Sequence, residues 1–199
     1  MNIKKIVAFT LAEVLLALAI VGTIATMTIP TLNYNKTKKE RSVRLKRFYS
    51  KMTNAVEMMN LNTPIRSMGN PSGKTFEWYM QYLDPYMGHK AVDKDNLTVY
   101  YADGSSLYLI EMGGSCLPVR YDVNGDKAPN MEKKDRFRFV FCFSGANTDL
   151  NNFFHAPRFG STRAKVLQKC KTYTQDSSYC TQLLEMDNWE FKSDYPFKI

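Results

Sequence analysis

Three features of this chain have residue types and spacing suited to chemistry: a carboxylate inside an apolar run, an oxygen-rich loop, and four cysteines. Glu13 is the one charge among the 24 residues from Phe9 to Leu32, FTLAEVLLALAIVGTIATMTIPTL. A charge at the centre of a membrane span costs at least about 2.5 kcal/mol, so an intramembrane carboxylate marks a functional site by default. Glu13 lies near the start of the run, and simple tolerance close to the interface is the plain alternative. The second feature, Asp122-Val-Asn124-Gly-Asp126-Lys-Ala-Pro129-Asn130, sets oxygen-bearing side chains at alternate positions, as a calcium loop does. An EF-hand loop needs Gly sixth and Glu twelfth, whereas here Gly125 is fourth and Lys133 twelfth. A tight turn at Asn124-Gly125, punctuated by Pro129, explains the same residues. No cofactor is therefore expected, with calcium at Asp122, Asn124 and Asp126 kept as an alternative.

The cysteines Cys116, Cys142, Cys170 and Cys180 lack the close Cys pair of a zinc site. An even count suits a disulfide-permissive compartment, and four cysteines allow three connectivities. Cys170 and Cys180 close a short loop and are the expected bridge, which leaves Cys116 with Cys142 by elimination; free core thiols are the alternative. Catalysis has little support. His89 and His155 are isolated, and no nucleophile-elbow or metalloenzyme motif appears. The expectation is a protein that is not an enzyme, with His89 a loop residue after Gly88 and His155 structural.

The elements that must position these residues follow from periodicity. A helix rises about 1.5 Å per residue and needs roughly 20 apolar residues to cross a bilayer, so Phe9–Leu32 is long enough to span. Beyond it Leu45, Phe48, Met52, Ala55 and Met59 recur in steps of three and four, which predicts one helix from Phe9 to about Leu61, interrupted in pattern by Gly22 and Pro30. Pro64 to Thr75 is rich in turn residues, and Phe76 to Met87 predicts one short helix. Leu97–Tyr101, Leu107–Glu111 and Leu117–Val123 read as strands, the first two joined by Ala102-Asp103-Gly104-Ser105. Arg136–Ser144 (RFRFVFCFS) alternates strictly, placing Phe137, Phe139, Phe141 and Phe143 on the face expected to cover the long helix. Short helices are expected at Arg163–Lys169 and Cys180–Met186. The fold class is α+β, a long N-terminal helix on an antiparallel sheet head.

Ala8-Phe9-Thr10-Leu11-Ala12-Glu13, after a basic leader and before an apolar helix, resembles the N-terminal signal of type IV prepilins and type II secretion pseudopilins. The resemblance covers about the first 30 residues. It implies cleavage between Ala8 and Phe9 by a prepilin peptidase, methylation of the new Phe9 amine to N-methylphenylalanine, Glu13 as fifth mature residue and Pro30 as twenty-second. The family usually has Gly where this chain has Ala8. The resemblance also implies that Glu13 pairs with the Phe9 amine of a neighbouring subunit in a filament. Opposite charges brought together in low dielectric offset each other's desolvation and set register between subunits. The loop at Asp122 is likewise similar to Asp-x-Asn-Gly…Pro-Asn turns in pilin-like heads.

The organisation expected is a leader (1–8), a transmembrane and assembly helix (9–32), a basic amphipathic stem (33–62) and an extracytoplasmic head (63–199). The chain has 199 residues and a net charge of +8, unevenly spread. Lys36–Arg47 (KTKKERSVRLKR) carries +6, whereas Thr63–Ile199 carries +1. A near-neutral head argues against a nucleic-acid partner. The stem reads as a solvated face, with anionic lipid, neighbouring subunits or DNA phosphates as further partners. Charge counting alone would put the C-terminal side in the cytoplasm, because seven basic residues follow the span and Lys4 and Lys5 precede it. The cysteines and the prepilin resemblance place the head outside. The resemblance thus implies a structural subunit of the bacterial inner membrane, single-pass and then filamentous. Its partners would be the peptidase, other pilin or pseudopilin subunits and an inner-membrane assembly platform. The rival is an anchored extracytoplasmic module that binds a ligand or DNA and never polymerises.

Overall fold

The computed structural model describes residues 10–71, 73–112, 114–143 and 153–199. Its first element, α1 (Leu11–Asn62), runs without interruption through Pro30. Two compact units divide inside this helix, one ending at Lys38 and the other running from Lys39 to Ile199. The amphipathic part of α1 belongs to the second unit and supplies buried residues to its core.

In the first unit the apolar side chains have nothing packed on them: Leu15, Leu18 and Val21 are all exposed. The 18-residue window of highest mean hydropathy, 2.0, has none of its residues buried. Three hydroxyls in this stretch are satisfied locally. Thr23 donates to Ile20 O and Thr26 to Thr23 O at 2.8 Å, and Thr28 donates to Ile24 O at 3.0 Å. A helix that bonds its own polar groups internally is suited to hydrocarbon.

The second unit is built around the rest of α1. Leu45, Phe48, Met52, Ala55, Val56 and Met59 are buried, the stripe that the spacing predicts with Val56 added. They face a sheet of β1 (Ala91–Asp93), β2 (Thr98–Tyr100), β3 (Ser106–Leu109), β4 (Cys116–Asp122), β5 (Arg136–Cys142) and β6 (Phe154–His155), antiparallel and in sequential order. Strict alternation in β5 buries Phe137, Phe139 and Phe141 and leaves Arg136, Arg138 and Val140 half-buried. Register sets Tyr121 opposite Phe137 and Val119 opposite Phe139. The Phe48 ring stacks on Tyr121 with centroids 3.8 Å apart and meets Phe139 edge-on at 5.4 Å. Aromatic pairs of this kind contribute about 0.5–1.5 kcal/mol beyond their area.

Two strands escape the sequence pattern. β1 and β6 have three and two residues, too short to display alternation. β6 pairs only with Val140 and Phe141. The remaining edge of β5 meets the C-terminal helix α5 (Ser178–Met186), itself packed on α4 (Arg163–Thr172), and Thr181 Oγ1 of α5 accepts from Arg138 N at 3.2 Å. This caps a ladder group that would otherwise be open at the edge. The helix expected over Phe76–Met87 is instead two, α2 (Thr75–Tyr82) and α3 (Asp84–Met87). Pro85 at the start of α3 has no N–H to donate backwards, so it begins a helix and cannot continue one.

Candidate functional site

Ala8 and Phe9, the expected processing pair, lie outside the described residues, as do Lys4 and Lys5. Glu13 sits in the first turn of α1. Its Oε2 accepts from Thr10 N at 2.9 Å and from Thr10 Oγ1 at 2.8 Å, and Glu13 N donates to Thr10 Oγ1 at 3.2 Å. This reciprocal arrangement is a capping box, which satisfies two of the donors that a helix start leaves open. The spacing Thr10-Leu-Ala-Glu13 carries that signature, so the sequence alone could have shown it. Both bonds use Oε2, leaving Oε1 without a partner among the described residues. The carboxylate therefore has a local structural task and a free oxygen. Pro30 lies within the same helix and has no contact that assigns it a further role.

The basic stretch was expected to be a solvated face, and the structure corrects this in part. Arg41 Nη1 donates to Lys134 O at 3.0 Å. Arg44 Nη1 donates to Asp103 O at 3.0 Å and Val123 O at 3.1 Å, while its Nη2 meets Glu40 at 3.3 Å. Lys51 Nζ donates to Met87 O. These cations satisfy loop carbonyls and tie the β2–β3 turn and the β4–β5 loop to α1. Lys39, Lys46 and Arg47 stay exposed.

The Asp122 loop is a turn held by its own polar groups. Asp122 Oδ2 accepts from Arg136 Nε at 2.8 Å and its Oδ1 from Asn124 N at 3.1 Å. Burial raises the Asp122 pKa against the opposing pull of those bonds. Asn124 Nδ2 donates to Lys127 O at 2.5 Å and Ala128 O at 3.1 Å, and Asn130 Nδ2 donates to Asp126 O at 3.0 Å. Asp126 is exposed and accepts from Tyr100 Oη at 3.4 Å. Its peptide Ala128–Pro129 is cis. One residue absent from the sequence reading, Asp135, and one present in it, Gly125, complete the loop. Asp135, fully buried, accepts from Asn130 N at 2.8 Å and Met131 N at 2.6 Å. Gly125 has φ +62, and a Cβ there would stand 2.7 Å from Gly104 O in the β2–β3 turn. Among the described residues no group of three or more His, Cys, Asp or Glu is placed to hold a metal ion.

The cysteines pair as Cys116–Cys142, directly opposite across β4 and β5, and Cys170–Cys180, which joins α4 to α5. Cys170–Cys180 is the pair expected from its short loop, and Cys116–Cys142 the pair left by elimination. The histidines are apart: His89 Nδ1 lies 2.8 Å from Asp84 Oδ2, and His155 Nδ1 lies 2.6 Å from Ala156 O. An ion-pair cluster that the sequence did not disclose closes the C-terminal segment. Arg163 makes two bonds of 2.6 Å to Asp187 and bonds of 2.8 and 3.0 Å to Asp194, and Lys192 reaches Asp187 at 2.7 Å. Burial opposes ionisation of Asp187, yet the bonds from Arg163 and Lys192 outweigh it and hold its pKa below the ordinary carboxylate range.

The residues thus define an α+β protein whose helix α1 begins as an exposed apolar stretch long enough to cross a membrane and ends as the spine of a disulfide-bonded head. The chain belongs to DUF6613, a family of unknown function, whose model matches residues 31–199. No curated protein and no solved structure matches it.

Proposed function

We propose that this chain is a pilin or pseudopilin, a structural subunit of a type II secretion or type IV pilus-like filament. It is cut before Phe9, methylated there and assembled through α1. The head would stand outside the inner membrane until the subunit leaves the bilayer for the filament. The observation that carries this reading is α1 itself: one helix holds an exposed apolar half, a carboxylate in its first turn, and the apolar stripe that builds the head core. The AFTLAE motif at its start supports the same reading. Head-to-tail contacts that do not close generate helical polymers of this kind.

Peptide mass analysis after co-expression with a prepilin peptidase and its methylation activity tests the first step. A mature chain starting at a methylated Phe9 is expected. A chain still starting at Met1, beside a control prepilin that is cut, and uncut again as Ala8→Gly, would return the protein to the anchored-module reading. The second step is tested at Glu13, where the capping box sharpens the comparison. Gln serves a capping box as Glu does, so Glu13→Gln keeps the helix start and removes only the charge. The filament reading expects Glu13→Gln to stay anchored and folded yet fail to enter filaments; unimpaired incorporation would refute the charge-pairing role.

A further inference from the structure

The two bridges of the head lie in opposite surroundings. Cys170 and Cys180 are fully buried, in a small apolar cluster with Val166 and Leu183. Cys116 and Cys142 are half-buried, and they stand at a sheet end as the first residue of β4 and the last of β5. Strand alternation sets them on the face turned away from α1, because Leu117 and Phe141 beside them point into the core. The residues that lead into Cys116 are open to solvent as well: Met112, Gly114 and Ser115 are exposed.

Strand pairing holds Cys116 and Cys142 opposite one another from both sides. Inward, Leu117 opposite Phe141 begins a run of pairs that ends with Asp122 opposite Arg136. Outward, Phe143 N donates to Ser115 O at 2.9 Å, and the Phe143 ring meets Trp78 and Phe153 edge-on, each at 5.1 Å. Breaking this bridge therefore leaves its two sulfurs facing each other. Cys170–Cys180 joins two helices, which share no such ladder. Thiol–disulfide exchange needs a thiolate to reach a sulfur, so access sets its rate. A fully buried sulfur is reached only after the structure opens around it.

We infer that Cys116–Cys142 is a thiol-exchange site, opened by a dithiol and reclosed while the head stays folded. One thiolate of the dithiol attacks a bridge sulfur. The Cys116–Cys142 bond breaks, one cysteine leaves as its thiolate, and a mixed disulfide forms. The second thiolate of the partner attacks that mixed disulfide and releases the other cysteine. Two electrons pass to the bridge, the dithiol is oxidised to its own disulfide, and its two protons end on Cys116 and Cys142. With both cysteines still in register, the reverse steps restore the bond. The inference rests on the second unit alone and not on the filament reading.

The probe is dithiothreitol, added to the full chain in detergent micelles. Samples are quenched by alkylation at intervals, and peptide masses report each cysteine. Cys116–Cys142 should open at least about tenfold faster than Cys170–Cys180. Its rate should be unchanged by urea below the unfolding transition, because attack occurs on the folded head, whereas the rate at Cys170–Cys180 should climb with urea. Far-ultraviolet circular dichroism should hold constant while only Cys116 and Cys142 are alkylated. Transfer into oxidised glutathione before alkylation should restore the same bridge. The proposal is overturned by equal rates at the two bridges, by an equal urea dependence, by loss of the dichroism signal as Cys116–Cys142 opens, or by its failure to reclose.

Discussion

Replacing Arg44 by Met should separate a carbonyl clamp from a solvated charge. The variant keeps most of the aliphatic stem and removes the donors to Asp103 O and Val123 O, which stand at 3.0 and 3.1 Å. Hydrogen bonds from a charged donor contribute roughly 1.5–3 kcal/mol each when protected from water. The Arg44 side chain is 31% exposed, so water replaces part of what is lost and the net cost comes to about 2 kcal/mol. For a unit of this size that lowers Tm by about 4–8 °C. Intrinsic fluorescence of buried Trp78 and Trp189, followed during heating of the full chain in micelles, reads the transition. Lys46→Met, an exposed cation on the same helix, should stay within about 0.5 kcal/mol of the parent. Arg44→Lys should fall between the two, because one ammonium group does not reproduce the planar guanidinium fork. If Arg44→Met and Lys46→Met melt together, the clamp contributes nothing and the basic stretch is a solvated face after all.

Other perturbations test other joints. Gly125→Ala places a Cβ against Gly104 O at a positive φ and should destabilise the second unit by about 1–3 kcal/mol, seen as a lower urea midpoint; an unchanged midpoint would mean that the two turns part freely. Asp187→Asn removes a carboxylate whose side chain is 2% exposed and should cost about 2–3 kcal/mol at pH 7. Because its pKa is lowered on folding, this contribution is complete above the ordinary carboxylate value of about 3.9 and is lost as pH falls through the lower folded value. The Tm gap between parent and variant should therefore close only in strong acid, and a gap that closed near neutrality would contradict the assignment. Replacing both Cys170 and Cys180 by Ala should lower stability by about 3 kcal/mol, the chain-entropy value for so short a loop. Equal urea midpoints would show the bridge to be dispensable.

The elements legible in the sequence were those written in a local repeat. The stripe of α1 and the alternation of β5 each extend over enough residues to define a face, and both faces are buried as the spacing predicts. The short separation of Cys170 and Cys180 made their bridge readable for a similar reason. The remaining features depend on distant partners. Arg44 binds carbonyls 59 and 79 residues away, and Arg41 binds one 93 residues away. A backbone carbonyl belongs to every residue and leaves no mark in the sequence. Asp135 and the Arg163–Asp187 pair were hidden in the same way, as charges whose partners appear only once the chain is folded. The capping box of Thr10 and Glu13 is different, since its pattern is local and stood open to reading.

The division of the chain inside α1 also has a mechanical meaning. A head joined to its anchor by a flexible linker would feel a pull only after the linker had straightened, and would feel it at one surface point. Here the second unit begins within the helix itself, and its six buried side chains from Leu45 to Met59 are part of the core. A load on that part of α1 is therefore shared among several interlocked side chains, like a bolt held along its thread.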